Sequence, residues 1–250
     1  MTTLSPLTIL PLSVTIIGAA FAIVIFNHYF GTRRRPHELV WGIAFLLFAG
    51  AGACQVLADV SGGWTPTLAR LYYLTGAILN VAFLGLGTVY LLFNRRVANV
   101  ALALTVMLTA ISVYVLLAVP VDASKLSDEA GWKAVAAIST APRWLAAISN
   151  TLGTLLVVGG ALWSGFVFWR KRIMRSRMIG VLLLAAGTFL VALGGTITGL
   201  TGLTNHDYLY LTMAAGVVVM FAGYLQTIRP APSMQSAATQ PAAGRTTPTA

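Results

Sequence analysis

Seven stretches of this 250-residue chain are apolar over about 20 residues or more, the length a helix needs to cross a bilayer. They lie at residues 8–30, 38–60, 66–93, 97–119, 142–169, 178–203 and 206–228. A soluble core cannot absorb so many long runs, and little chain is left between them for a separate domain. Charged residues make up only 9% of the chain, against roughly 25% in soluble domains. Within lipid, backbone amides find partners only in helices or closed barrels. The runs are too long for barrel strands, so the expected fold is all-α. It is a polytopic membrane protein, with a seven-helix transmembrane domain over residues 1–229.

The formal net charge of +10 would by itself point to nucleic acid. Its placement points to topology instead. Arg33, Arg34 and Arg35 follow the first run, and Arg95 and Arg96 the third. Arg170, Lys171, Arg172, Arg175 and Arg177 follow the fifth, and Arg229 the seventh, with Arg245 in the tail. The other basic residues, Arg70, Lys125, Lys133 and Arg143, border the opposite ends. Lys and Arg concentrate in short cytoplasmic loops, so the amino terminus is expected outside and the carboxyl terminus in the cytoplasm. Residues 230–250, PAPSMQSAATQPAAGRTTPTA, lack large apolar groups and read as a disordered cytoplasmic tail. The implied partner is the lipid bilayer, including anionic lipid near the arginines, and no nucleic acid. No basic segment precedes residues 8–30, which therefore read as a retained helix and not a cleaved signal.

Local punctuation supports these spans. Thr65-Pro66 offers a cap followed by proline at the first helical position, and Thr140 to Pro142 resembles it. Asn205 can cap the last helix, and Gly62 and Gly63 suit the left-handed turn that ends the second. In the longest loop, Ser127, Asp128, Glu129, Trp132, Val135 and Ala136 fit either a short interfacial helix or an ordered loop. Gly195 and Gly199, and the small residues from Ala49 to Ala53, are expected where helices approach closely.

Against this apolar background, Asp59 and Arg70 are conspicuous. Each sits on the inner margin of an apolar run, and the helix dipole disfavours both: Asp59 near a carbonyl end, Arg70 near an amide end. Two readings stand. In one they pair with each other and staple the second helix to the third. In the other they help line an outward-facing polar cup. Helical spacing from Arg70 gives Tyr73 and Asn80, the fifth helix adds Arg143 and Asn150, and the seventh adds Asp207 and Tyr210. The candidate ligand-binding set is thus Asp59, Arg70, Tyr73, Asn80, Arg143, Asp207 and Tyr210, with Gln55 on the stripe that leads inward from Asp59. Ionisable groups within spans mark functional sites by default.

Chemistry beyond binding finds little support. Cys54 is the lone cysteine, so an internal disulfide and a multi-cysteine metal centre are excluded. His28 and His37 lie near one rim and His206 near the other, which leaves no facing pair at one depth for haem. They read as interfacial residues, with Glu38 expected to pair with the nearby arginines. The last run has no lysine for a retinal Schiff base, and no metalloprotease, nucleophile-elbow or phosphate-loop motif occurs. The expected protein is therefore not an enzyme, and needs no cofactor or metal.

The segments RRRPHELVW and GWTPTLARLYYLTGAILNVAFLGLGTVYLL, within residues 33–96, resemble a group of uncharacterised bacterial seven-helix integral membrane proteins. The resemblance implies a bacterial source and a multi-pass plasma-membrane setting, and carries over no catalytic residue. Three functions fit: a sensor or small-ligand-binding bundle, an accessory or scaffolding subunit with protein partners in a larger membrane complex, or a proton-coupled transporter using Asp59. The expected orientation is checked by labelling Ser124→Cys with an impermeant maleimide. Reaction should occur on intact cells, and reaction only after permeabilisation would reverse the topology.

Overall fold

The computed structural model describes residues 6–31, 34–126, 138, 140–171, 175–201 and 207–228. The expected tail, the interfacial segment around Trp132 and the Asn205 cap lie outside the described residues. Seven helices are long and apolar enough to cross a membrane. They are α1 (Pro6–Gly31), α2 (Pro36–Ser61), α3 (Pro66–Leu92), α4 (Arg95–Ala118), α5 (Thr140–Lys171), α6 (Arg175–Thr201) and α7 (Asp207–Ile228).

The helix ends follow local chemistry. Gly62 ends α2 in the left-handed region at φ 80°, and the Gly63 amide returns to the Ala58 carbonyl at 2.8 Å. Thr65 caps α3 by accepting from the Leu68 amide at 3.2 Å, with Pro66 supplying the first helical φ. Asn94 caps α4 by accepting from the Val97 amide at 3.0 Å, which starts that helix two residues before the expected span. Thr140 is already helical, so α5 includes Pro142 in its first turn, where no intrahelical donor is needed.

Six helices close a ring: α1 packs on α2, α2 on α3, α3 on α5, α5 on α6, α6 on α7, and α7 returns to α1. Helix α4 stands outside, against α3 and lightly against α5, and most of its surface is exposed. Phe21, Phe45, Val217 and Met220 fill the middle of the ring, with the Phe21 and Phe45 centroids 3.9 Å apart. Arg34, Arg35, Arg95, Arg96 and Arg170 gather at one end of the bundle, termed here the basic end. The Ser61–Pro66 turn, with Trp64, marks the other.

The small residues of α2 do meet a neighbouring helix, since a Cβ on Gly52 would collide with Thr15 of α1. On α6 the expected approach is displaced, and the surroundings of Gly199 lie outside the described residues. Gly195 faces open space. Gly180, Gly187 and Gly194, seven residues apart on α6, press against α7 instead. A Cβ on Gly180 would fall 2.6 Å from the Gly223 carbonyl oxygen, and one on Gly187 would collide with that of Gly216. A seven-residue repeat returns to one helix face after nearly two turns, so backbone meets backbone along the seam.

Within α3, residues Tyr73–Leu79 form a π-helical stretch between two α-helical parts. The widened i→i+5 pattern disturbs local pairing, and Asn150 of α5 donates its Nδ2 to the Ala77 carbonyl at 2.7 Å. Gly76 lets α2 in, since a Cβ there would lie 2.9 Å from Ala51 Cβ. The stretch begins at Tyr73, directly after Tyr72.

Gly187→Val is expected to lower the melting temperature in nanodiscs, by a loss of roughly 1–3 kcal/mol for overpacking a tight contact. Gly195→Ala should leave it nearly unchanged, and equal losses would place the seam elsewhere.

Candidate functional site

Near the Trp64 end, α2, α3 and α7 bring polar side chains together inside an apolar surround. Gln55 is only 2% exposed and joins two elements. Its Oε1 accepts from the Tyr210 hydroxyl at 2.6 Å, and its Nε2 donates to Asp59 Oδ1 at 2.8 Å. The Tyr72 and Tyr210 side chains lie within electrostatic reach of each other. A carbonyl oxygen only accepts, so the single Tyr210 proton goes to Gln55. The chain of donors therefore runs Tyr210, Gln55, Asp59 and ends on the carboxylate.

Local structure explains the convergence. Gln55 and Asp59 are four residues apart on α2, hence on one face. Tyr72 occupies the last α-helical position of α3 before the π stretch, and Trp64 stacks edge-on against it with centroids 5.4 Å apart. Tyr210 stands one turn into α7 and is buried. Three groups nearby stay unsatisfied among the described residues: Asp59 Oδ2, Trp64 Nε1 and Arg70 Nε are buried without a hydrogen-bond partner. Such groups each cost on the order of 1–3 kcal/mol.

Asp59 and Arg70 do not pair. Arg70 donates from Nη2 to the Val119 carbonyl at 3.1 Å, tying the start of α3 to the end of α4, while Asp59 is held by Gln55. The expected staple between the second and third helices is corrected on this geometry. Arg70 and Tyr73 do share a face of α3, as their spacing requires, but that face turns toward α4 and α5. There Tyr73 packs with Leu116, Ile138 and Ala146, within electrostatic reach of Arg143. Asn80 is buried where α3 resumes its α-helical pattern. Asp207 begins α7, and its side chain lies outside the described residues.

The candidate set thus divides. Asp59 and Tyr210 belong together through Gln55, whereas Arg70, Tyr73 and Arg143 form a second neighbourhood behind α3. Tyr72 completes the first group and was missed. Stepping from Arg70 in threes and fours selects Tyr73, and only knowledge of which α3 face meets α2 selects its neighbour, about 100° round the helix.

At the basic end, Glu38 also departs from expectation. Its Oε1 lies 3.1 Å from His28 Nδ1 of α1, and among the described residues it makes no ion pair with an arginine. Among the described residues, no three His, Cys, Asp or Glu side chains lie close enough together to hold a metal ion. No protein-family model, no curated protein and no solved structure matches this chain.

Double-mutant cycles test the division. Tyr210→Phe and Gln55→Leu should couple by about 0.5–3 kcal/mol, because they share one hydrogen bond. Asp59→Ala and Arg70→Ala should add to within roughly 0.5 kcal/mol. Recovery of stability in that second double variant would restore the ion pair.

Proposed function

We propose that this protein is a non-enzymatic integral membrane protein that binds a small ligand at the Trp64 end, as a sensor or receptor does. One observation carries the reading: among the described residues Asp59 keeps a buried oxygen without a partner, while its other oxygen is held in place by Gln55. A carboxylate at the margin of a span is costly unless something neutralises it. Arg70 and its guanidinium are turned toward α4, so a cationic ligand supplies the missing charge.

The surrounding chemistry favours an organic ammonium. Tyr210 lies within electrostatic reach of Asp59, with the stacked Trp64 and Tyr72 rings at the same end, and ammonium groups are attracted both to ring faces and to carboxylates. The hydrogen-bond chain into Asp59 holds it in one orientation, which lowers the ordering cost of binding. With the amino terminus outside, as the arginine placement implies, this end opens to the exterior. The resemblance over residues 33–96 implies a bacterial plasma membrane as the setting.

The exposed flank of α4 favours a second reading, that of an accessory subunit. A helix outside the ring presents its surface to lipid or to a partner helix. Mild-detergent purification separates the two, since recovery only as a lone monomer counts against a subunit. Proton-coupled transport has less support. Asp59 and Glu38 are 21 positions apart on one helix, about 31 Å at 1.5 Å per residue, and Phe21, Phe45 and Phe48 occupy the interior between them.

The binding reading is tested by melting the protein in nanodiscs with methylammonium, ethanolamine or choline. At least one should raise the melting temperature, by the equivalent of about 2.7 kcal/mol at a hundred times its Kd, and Asp59→Asn should remove the shift. No shift with any of them, or an undiminished shift in Asp59→Asn, would reject an ammonium site at Asp59.

A further inference from the structure

At the basic end, α1, α2 and α7 place three polar side chains in the interior. Glu38 is 1% exposed, and the oxygen not facing His28, Oε2, is buried without a partner among the described residues. Tyr224 is also 1% exposed, and its ring meets that of His28 edge-on at 6.3 Å. It lies within electrostatic reach of Glu38, yet its hydroxyl too is buried and unpartnered among the described residues.

Tyr224 also lines a cavity of about 40 Å³ in the middle of the ring. Phe21, Ile25, Phe45 and Leu84 form much of its apolar wall. Three of the polar groups on that wall are committed. Trp41 donates from Nε1 to the Leu84 carbonyl at 3.2 Å, and Thr88 and Thr188 donate back to carbonyls of their own helices. One edge of the cavity is Leu91, which is 41% exposed, so the cavity reaches the flank that lipid covers in a bilayer.

We propose that this cavity takes the chain of an uncharged, single-chain membrane alcohol whose hydroxyl bridges Glu38 Oε2 and the Tyr224 hydroxyl. The two groups select that headgroup. A carboxylate only accepts, so its partner must donate, and a tyrosine that donates needs an acceptor. A hydroxyl does both with one atom. An ammonium donates but cannot accept, and a phosphate would bring a second negative charge against Glu38 in a low-dielectric interior. A water could make the same two bonds, but only an alcohol also extends a chain from Tyr224 along the apolar wall that Tyr224 helps to line. A single water needs roughly 10–15 Å³ of such volume, so this space admits a short run of methylenes and no bulky ring, with the remaining chain lying along the flank. The inference is independent of the ammonium site, which lies at the other end of α2.

The test uses the full chain in phosphatidylcholine nanodiscs and hexadecanol carrying a diazirine in its chain. Photolabelling should fall on cavity residues of α1, α3 and α7, and should be competed by unlabelled hexadecanol or farnesol but not by hexadecyl phosphate. Whichever alcohol competes better identifies a straight-chain or an isoprenoid source. Tyr224→Phe and Glu38→Gln should each weaken competition about tenfold, the size of one lost hydrogen bond of about 1.4 kcal/mol. Ala161→Phe, which fills the cavity, should abolish labelling. Should that variant fail to fold, Val157→Leu must still reduce it. Labelling unchanged by the filling variants, equal competition by hexadecyl phosphate, or unweakened binding in Tyr224→Phe would each overturn the proposal, the last assigning the hydroxyl to a buried water.

Discussion

Apolar side chains gain little by leaving lipid for a neighbouring helix, so helices in a bilayer associate through close packing and interhelical hydrogen bonds. In this bundle the closest packing lies between α6 and α7, where glycines bring the two backbones together. Gly180, Gly187 and Gly194 face Gly223, Gly216 and Thr212 in turn. The ring depends on this seam. Helix α7 also packs on α1, and it carries both Tyr210 and Tyr224, the residues through which it reaches the polar groups of α2 and α1. If α7 were displaced by the width of a methyl group, Gln55 would lose its phenol donor, and Tyr224 would no longer meet the ring of His28.

Helix α2 carries the chemistry of both ends. Glu38 and Asp59 lie near its two termini, each with one oxygen engaged by a neighbouring side chain and one left buried and unpaired among the described residues. The partners differ in kind. His28 reaches Glu38 from another helix, whereas Gln55 reaches Asp59 from the preceding turn of the same helix and relays a tyrosine of α7. An apolar layer of phenylalanines separates the two, so no line of hydrogen bonds joins the two ends among the described residues.

The π stretch in α3 stands where movement of helices would be easiest to accommodate. Its widened turns, relieved by Asn150, separate the upper part of α3, which carries Arg70 and Tyr72, from the lower part that lines the central cavity. Irregular helical turns of this kind are frequent at functional sites. Here the irregularity also admits α2 at Gly76, and so contributes directly to the contact between Tyr72 and the α2 cluster.

How much was legible in the chain can be read from particular residues. The seven spans, the Thr65 cap and the Gly62 turn follow from local rules, because helix length, capping and left-handed φ are decided within a few residues. Asp59 and Tyr210 were legible as costly polar groups near one end, since desolvation penalises them wherever their neighbours lie. Tyr72, the Glu38–His28 contact and the Gly180–Gly187–Gly194 seam were not legible in the same way. Each depends on which face of one helix meets which face of another, and a helix with apolar residues on every side carries no stripe to declare its inward face. Arg70 shows the same limit: its dipole conflict was visible in sequence, but only packing decided that the Val119 carbonyl, and not Asp59, answers it. Sequence by itself determined that this chain makes seven membrane-length helices and which polar groups they must accommodate. The rotation of each helix, and hence every partner, was decided by tertiary packing, because in lipid close contact and hydrogen bonding orient helices where hydrophobicity does not.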